Sequence, residues 1–245
     1  EKEAALRAHR TKLEAGLSAW IDGLTVPAAG WTVQEPLSFV SHGAARFTVL
    51  EDQSLLVSGE TPPEDSYTVV IRTHKPHIRG LRLEALTHKD LPRGGPGRAH
   101  HANFVLNEIT IQAASVDTPH DTTPVIIERA TASFEQGGYP IAGAFDGDLS
   151  TGWAVGEGDK TSKDSAAQFS FATPVNNGQG TIFTITLAQR YGKFHNLGHF
   201  RLSLTTEDPA RILYADEVVA ALLSEASSRT PEDERALLHA YGQQD

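Results

Sequence analysis

Hydrophobic and polar residues follow two different periods along the chain. Near the start, apolar residues recur every three or four positions until Pro27 and Gly30 interrupt the pattern. This first stripe consists of Leu6, Leu13, Leu17, Trp20, Ile21 and Leu24. A second stripe near the end consists of Val218, Val219, Leu222, Leu223 and Ala226. Because such spacing is typical of amphipathic helices, we expect the chain to begin and end in helices, over residues 4–24 and 215–224.

The segment TPEDERALLHAY carries the signals of one further helix near the end of the chain. Thr230 is a favourable N-cap residue, and Pro231 follows at the first helical position, where its missing N–H costs nothing. Acidic residues then fill the first turn, where they interact well with the positive end of the helix dipole. The pattern therefore predicts that a helix starts at Pro231.

Between residues 31 and 206 the period changes to two, which is typical of strands with one buried face. In HFRLSLTT, for example, Phe200, Leu202 and Leu204 fall on one face, whereas Arg201 and Ser203 fall on the other. Gly, Pro, Asp and Asn separate eight such stretches, at 45–50, 54–59, 66–72, 80–86, 104–111, 167–173, 181–189 and 199–206. The segment 115–124 is the best candidate for an internal linker. So many strands without intervening helices predict a mainly β fold, a jelly-roll-like β-sandwich with flanking N- and C-terminal helices.

We therefore divide the chain into three parts. Residues 1–30 form a helical lead-in, residues 31–206 form the β-sandwich module, and residues 207–245 form C-terminal helices that lead to the next domain. The chain contains no methionine, which predicts a segment of a larger protein or a processed product.

Composition excludes several classes of function. The formal net charge of -10 would repel a phosphate backbone, so nucleic acid is not an expected partner. No apolar run is long enough to predict insertion in a membrane. The absence of cysteine removes disulfides, thiolate zinc sites, cysteine nucleophiles and covalent haem attachment, so no haem is expected in this segment.

Two long stretches carry a family resemblance. They are GLRLEAL…LPRGGPGRAHHANFVLNEITI and ATASFEQGGYPIAGAFDGDLSTGWAV…YGKFHNLGHFRLSLTT. Together they resemble the module between the two large uncharacterised domains of planctomycete multi-domain cytochrome c-like proteins, although His101 and Ala102 stand where that family has Asn-Gly. The resemblance implies an extracytoplasmic protein, periplasmic or secreted, with flanking domains of the same parent chain as partners and a role on or near complex polysaccharide.

A shorter motif gives a more distant resemblance. The segment AGAFDGDLSTGW, residues 142–153, is similar to the A-x-D-G-x-x-x-T-x-W signature of discoidin and coagulation-factor type C modules. Those modules are galactose-binding-like jelly rolls, so the resemblance implies the same class of sandwich. FVLNEITI precedes the signature here, which indicates a permuted or rebuilt arrangement.

The Asp-Gly motif is also a candidate metal site. Asp146 and Asp148 lie two residues apart, and the hydroxyl of Thr151 follows shortly. Hard oxygen ligands on a short turn suit Ca²⁺, with turn carbonyls and the carboxylate of Glu108 as further ligands. The alternative is an ordinary Asp-Gly β-turn ahead of a buried Trp153, with no metal.

Candidate chemistry elsewhere is sparse. No carboxylate pair or Ser-His-Asp set stands in a recognisable catalytic frame, so we predict no enzymatic activity and no catalytic residues. The histidines that could converge on zinc are His88, His100, His101, His120, His195 and His199. Adjacent residues of an extended strand point to opposite faces, so His100 and His101 are expected on the surface and not on one metal.

Aromatic and polar residues offer a candidate glycan site. Sugar binding requires an aromatic platform with hydrogen-bonding groups beside it. Trp31, Tyr139, Arg190 and Tyr191 are the candidate ligand-binding residues, whereas Trp153 is expected in the core.

The segment LPRGGPGRAHHANF contains three glycines and two prolines before a strand. Such a composition predicts a stiff loop with backbone angles open only to glycine. Arg98, at the exit of this loop, is expected either to tie the loop to carbonyls or a carboxylate such as Glu84 or Glu108, or to line a ligand site.

The function predicted from sequence is therefore a non-catalytic carbohydrate-binding module with a structural Ca²⁺, in a large exported bacterial protein. Two alternatives stay open: a spacer that positions neighbouring domains without binding sugar, and an unrecognised hydrolase. Exposure of Tyr139, Tyr191 and Trp31 distinguishes the binding module from the spacer.

Overall fold

The computed structural model describes residues 16–17, 21, 30–156, 161, 163–209, 221 and 229–242. Contacts divide the chain into two compact units. One unit combines Glu1–Gly30 with Ile212–Asp245, and the other is Trp31–Arg211.

The unit Trp31–Arg211 is a β-sandwich of antiparallel strands. They are β1 (Thr32–Val33), β2 (Pro36–Ser41), β3 (Ala45–Val49), β4 (Leu55–Gly59), β5 (Asp65–Thr73), β6 (Ile78–Ala85), β7 (Val105–Leu106), β8 (Glu108–Ser115), β9 (Thr123–Pro124), β10 (Ile127–Ala132), β11 (Trp153–Ala154), β12 (Ser165–Val175), β13 (Thr181–Gln189) and β14 (His199–Thr205). One sheet has the order β10-β12-β6-β14-β4-β3, with β1 also paired to β14, and the second has the order β2-β5-β13-β8-β9. The strands β7 and β11 form a separate pair.

The two sheets face each other across one hydrophobic core. In β13, Phe183, Ile185 and Leu187 are buried while the residues between them are partly exposed, which is the alternation of a strand with one buried face. Tyr67 of β5 and Phe200 of β14 stack across the two sheets with ring centroids 6.1 Å apart. The predicted β-sandwich is confirmed as a two-sheet architecture.

All eight stretches predicted as strands contain strands, but the structure adds others that the sequence pattern did not show. β2 (Pro36–Ser41) begins with proline and exposes Leu37 and Val40, so it lacks a clear alternation. β10 (Ile127–Ala132) is likewise only partly buried. The predicted linker 115–124 ends in β9, which pairs with β8. Edge strands have one sheet neighbour, so tertiary pairing decides where they form.

The N-terminal cap of the last helix is confirmed. This helix spans Pro231–Gly242 and begins with a capping box: the backbone N–H of Asp233 donates to the hydroxyl of Thr230, and the carboxylate of Asp233 accepts from the backbone N–H of Thr230. In the same unit, the apolar residues Leu17, Ile21, Ala221, Ala236 and Leu237 pack together. The rest of the helices predicted at 4–24 and 215–224 lies outside the described residues. Within the described part of the chain, no helix is long and apolar enough to span a membrane.

Candidate functional site

The glycine-rich and proline-rich segment, residues 91–103, forms a tightly folded loop that we call the Gly-Pro loop. A Cβ on Gly97 would lie 2.0 Å from the carbonyl oxygen of Asn103, and one on Gly95 would lie 2.3 Å from the Cβ of Ala102. Only glycine allows the backbone to approach itself this closely. The two arms of the loop are joined by a hydrogen bond from Gly97 N–H to the carbonyl of Ala102. The glycines therefore serve close packing of the loop.

Arg98 holds the Gly-Pro loop against the end of β4. Its guanidinium donates to the carbonyls of Glu60 at 2.7 Å and Gly59 at 2.8 Å, and the residue is 9% exposed. Backbone carbonyls thus hold the side chain, and neither Glu84 nor Glu108 is its partner: Glu84 pairs with Arg201, and Glu108 accepts from Gly147. Because both terminal nitrogens are engaged and buried, Arg98 positions the loop and does not face a ligand.

A second loop, residues 190–198, packs against the Gly-Pro loop, and we call it the β13–β14 loop. The backbone N–H of Arg98 donates to Asn196, and that of Gly198 donates to Pro96. Three consecutive residues of this loop have positive φ: Gly192 (79°), Lys193 (53°) and Phe194 (66°). A bulky residue such as phenylalanine rarely adopts this conformation, so surrounding contacts must hold it there. Phe194 is 48% exposed. An exposed aromatic residue therefore occupies an unfavourable backbone conformation.

The two loops bring three histidines together. His195 Nε2 lies 3.2 Å from His101 Nε2, and His101 Nδ1 lies 3.3 Å from His100 Nδ1. His100 and His101 lie in a turn in which Ala102 has φ of 73°, so the opposite orientation of neighbouring residues in an extended strand does not apply to them. His88 and His199 form a separate pair with ring centroids 5.3 Å apart. No group of three or more potential protein ligands within the described residues has the geometry of a metal site.

Two of the predicted ligand-binding tyrosines meet at this face. The rings of Tyr139 and Tyr191 pack edge to face at 5.8 Å, and the ring of Tyr191 packs against His195 at 4.7 Å. A hydrogen bond with Tyr191, together with burial, raises the pKa of Tyr139. Tyr191 is 40% exposed, and Lys193 Nζ lies 5.9 Å from its ring centroid. We call this surface of Tyr139, Tyr191, Phe194 and the three histidines the ligand face.

Of the other predicted ligand residues, Arg190 lies beside the ligand face and Trp31 does not. Arg190 leads into the β13–β14 loop and donates to the hydroxyl of Ser66, with Glu64 3.9 Å away. Trp31 precedes β1, which pairs with the far end of β14. That end lies about 20 Å from the β13–β14 loop at the usual rise of a strand. The indole N–H of Trp31 is buried without an acceptor among the described residues.

The segment 143–151, which we call the Asp-Gly turn, gathers oxygen atoms around one hydroxyl. Oγ1 of Thr151 lies 2.9 Å from the carbonyl oxygens of Gly143 and Asp148, and 3.0 and 2.9 Å from the two carboxylate oxygens of Asp146. The hydroxyl has a single hydrogen, so it can donate well to only one of these four oxygens. The backbone N–H of Asp148 also donates to Asp146.

The other two predicted metal ligands engage backbone N–H groups of the same turn. The Asp148 carboxylate accepts from Ser150, which lowers its pKa, and Glu108 accepts from Gly147 at 3.1 Å. Burial raises the pKa of Glu108. The structure thus brings the four predicted metal ligands to one turn, with the side chains of Asp146 and Thr151 nearest each other.

Asn107 is a buried residue that the sequence pattern did not single out. Its amide donates to the carbonyls of Leu149 and Thr151, and its oxygen accepts from the backbone N–H of Arg190. It thereby joins the Asp-Gly turn to the β13–β14 loop. The sequence did contain a signal for this residue: Asn107 stands within the apolar stretch VLNEI, where its amide is expected to be buried. A buried amide needs hydrogen-bond partners. Trp153, whose N–H donates to the carbonyl of Phe134, is in the core as predicted.

No protein-family model and no curated protein matches the chain. Among solved structures, distant similarity extends to β-sandwich carbohydrate-binding modules. One structure, described as showing the promiscuous specificity of modules from the β-sandwich superfamily, matches at 10% identity and a TM-score of 0.30, over 75% of this chain and 58% of that one. The CBM32-3 module of a family 31 glycoside hydrolase from Clostridium perfringens matches at 9% identity and a TM-score of 0.33, over 73% of this chain and 92% of that one.

A third match is the structure of the CBM32-1, CBM32-2 and M60 catalytic domains of Clostridium perfringens ZmpB. Its identity is 13% and its TM-score 0.34, over 93% of this chain but only 21% of that one. The chain thus spans less than two thirds of the first two structures that it matches. Similarity this weak carries no functional conclusion, and the planctomycete context finds no support in these matches.

Proposed function

We propose that this chain is a non-catalytic glycan-binding module with a jelly-roll-like sandwich, and that sugars bind at the ligand face. The observation that carries the proposal is the exposed ring of Tyr191, held by Tyr139 and His195 on a loop with left-handed backbone. A fixed aromatic ring with polar groups at its edge suits a sugar, which has apolar C–H faces and equatorial hydroxyls. His100 and the guanidinium of Arg190 supply such polar groups.

The rigidity of the two loops supports the same function. A ring that is already fixed loses little conformational entropy when a ligand binds, so more of the contact energy appears as affinity. Asn196 adds to this rigidity, since its amide donates to the carbonyl of Pro62 at 2.7 Å. The location outside the cytoplasm and the flanking domains of a parent chain remain parts of this proposal that come from the sequence resemblance.

Affinity electrophoresis in gels that contain different neutral and acidic polysaccharides tests the proposal. We expect at least one polysaccharide to retard the chain, and the variant Tyr191→Ala to lose at least about tenfold in affinity, as truncation of a central aromatic side chain does. Leu37→Ala is the matched control, because Leu37 is 59% exposed on the edge strand β2. Unchanged migration of the wild-type chain in every gel would contradict the proposal.

A structural Ca²⁺ at the Asp-Gly turn belongs to the same proposal. Four oxygens around one hydroxyl hydrogen leave electron pairs without donors, and a cation would satisfy them. The ion would be held by Asp146, Thr151 and the carbonyls of Gly143 and Asp148, with Glu108 adjacent. Its role would be to fix the turn, which Asn107 connects to the ligand face.

A spacer function is the second candidate, and the exposed apolar side chains of β2 favour it. Leu37 and Val40 are 59% and 51% exposed on this edge strand, where they could pack against a neighbouring domain. A spacer does not require Tyr191, so the gel experiment separates the two functions.

A further inference from the structure

We propose that the three histidines of the ligand face select acidic glycans that carry carboxylate groups, such as polymers of uronic acids, and that protons are taken up when such a glycan binds. The inference deepens the proposed function and rests on it. Its basis is the geometry of His100, His101 and His195, which satisfy one another's hydrogen bonds only while the two inner rings, His101 and His195, are neutral.

The hydrogen bonds of the neutral rings run in one direction. His195 Nδ1 lies 3.1 Å from the carbonyl of Gly192, and a carbonyl can only accept, so this nitrogen carries the proton. His195 Nε2 is then an acceptor and receives the N–H of His101 Nε2 at 3.2 Å. His101 Nδ1 is in turn an acceptor and receives the N–H of His100 Nδ1 at 3.3 Å. The neutral cluster therefore leaves one free acceptor, Nε2 of the exposed His100.

Protonation of either inner ring breaks this arrangement. A proton on His195 Nε2 would place two N–H groups opposite each other, and a proton on His101 Nδ1 would do the same toward His100. Two opposed donors need an acceptor between or beside them. A carboxylate oxygen of a ligand meets this need better than a sugar hydroxyl, because it carries negative charge and only accepts.

The charged groups around the cluster favour an anion. Arg93 and Lys193 contribute positive charge from the two loops. Among the described residues, no carboxylate forms an ion pair with any of the three rings. Glu64 lies 3.9 Å from the guanidinium of Arg190. Of the two tyrosines, Tyr191 packs against His195, and Tyr139 packs against Tyr191. This basic patch belongs to a chain with a net charge of -10, so it is a local feature.

The pKa values of His101 and His195 in the unbound module determine how affinity changes with pH. Burial, together with the like charges of neighbouring bases, lowers the pKa of His101 and of His195 below the ordinary 6.5. A bound carboxylate favours the charged rings and raises these pKa values. For each ring, the pKa is then higher in the complex than in the free module. Between these two values the complex holds more protons than the free module, so affinity increases as pH falls through that range. Uptake of one proton changes affinity by up to about tenfold per pH unit.

Titration calorimetry with polygalacturonate, a neutral galactan and polyglutamate at pH 5.5, 6.5 and 7.5 tests the inference. We expect binding of polygalacturonate to strengthen several-fold from pH 7.5 to 5.5, and the heat to vary with the ionisation enthalpy of the buffer, which reports proton uptake. The galactan is expected to show neither effect. Polyglutamate is expected to bind at least tenfold more weakly than polygalacturonate, because it lacks sugar rings for Tyr191.

Variants locate the effect. His101→Asn and the exposed His100→Asn are expected to flatten the pH dependence for polygalacturonate, whereas His120→Asn, at an exposed site outside the two loops, is expected to retain it. The His100 variant serves if the His101 variant fails to fold.

Binding of galactan at Tyr191 without a preference for polygalacturonate would overturn the inference and leave the proposed function standing. Absence of binding to polygalacturonate would overturn the inference, whereas the proposed function fails only if no polysaccharide retards the chain in the gel experiment. Equal binding of polyglutamate would show a nonspecific anion patch and would also overturn the inference.

Discussion

The Asp-Gly turn and the ligand face are built in opposite ways. In the turn, the Thr151 hydroxyl contacts groups from Gly143 to Asp148, all within eight residues of it. In the ligand face, His101 and His195 are 94 residues apart in sequence, and Arg98, which positions the Gly-Pro loop, reaches back 39 residues to Gly59. The turn is thus a local structure, whereas the face exists only after the two sheets have formed.

This difference affects how each region responds to change. A local turn closes a short loop at small entropic cost, so substitutions there should alter the turn and its response to Ca²⁺ but leave the sandwich folded. When two loops that are distant in sequence pack together, a substitution that disturbs their contact also disturbs the strands to which they are attached. Changes in the Gly-Pro loop should therefore destabilise the whole module, whereas changes in the Asp-Gly turn should act mainly on the turn.

Gly97→Ala is expected to destabilise the module by about 3 kcal/mol or more, since its Cβ would lie 2.0 Å from a backbone oxygen that cannot move alone. Urea unfolding measures the change. Gly137→Ala is the control, because nothing lies within 4 Å of a Cβ there, and its effect is expected within about 0.5 kcal/mol. Equal stability of the two variants would show that the Gly-Pro loop is not tightly packed.

Calcium is expected to raise the free energy of unfolding by about 2.7 kcal/mol at a hundredfold excess over its dissociation constant, because only the folded turn presents the oxygens together. Thermal melting in Ca²⁺ and in a chelator measures the effect. Asp146→Asn and Thr151→Val should abolish the calcium dependence and still fold. Identical melting of the wild-type chain in both solutions would mean that the N–H donors of the turn alone balance its carboxylates.

Arg98→Ala is expected to cost about 2 kcal/mol, since the carbonyls of Gly59 and Glu60 lose a charged donor and the packing of a buried side chain is lost. Arg98→Lys should restore only part of this loss, because one ammonium cannot reproduce the fork of the guanidinium. Chemical denaturation compares both variants with Arg72→Ala, a change at an exposed position of β5. A loss no greater than that of Arg72→Ala would contradict the structural role of Arg98.

Mild acid is expected to weaken the fold by a smaller amount. Burial lowers the pKa of His199 and of His195 below 6.5, so the unfolded chain binds more protons than the folded chain as pH falls past that value, and stability decreases. Each histidine contributes a slope of at most about 1.4 kcal/mol per pH unit. His199→Gln, measured by denaturation from pH 7.5 to 5.5, should reduce the slope, whereas His120→Asn should not. A slope unchanged by His199→Gln would remove this histidine as a source of acid sensitivity.

The sequence by itself determined the features that depend on near neighbours. Alternation along residues 181–189 predicted a strand because every second side chain must enter the core. Thr230 and Pro231 marked a helix start because the groups that cap it lie within four residues. The Asp-Gly turn was recognisable for the same reason, and Asp146 and Thr151 are in hydrogen-bonding contact there, whereas its contact with Glu108 depends on tertiary structure.

Only the tertiary structure decided which distant residues meet. A turn at Ala102 and the packing of a second loop bring His100 and His101 near His195, which is 94 residues from His101 in the sequence. Trp31 and Tyr191 looked equally suited to a sugar site, yet strand pairing places them at opposite ends of β14. The physical reason is that side-chain periodicity reports which face of an element is buried, whereas sheet order and loop packing depend on contacts between segments that no local pattern records.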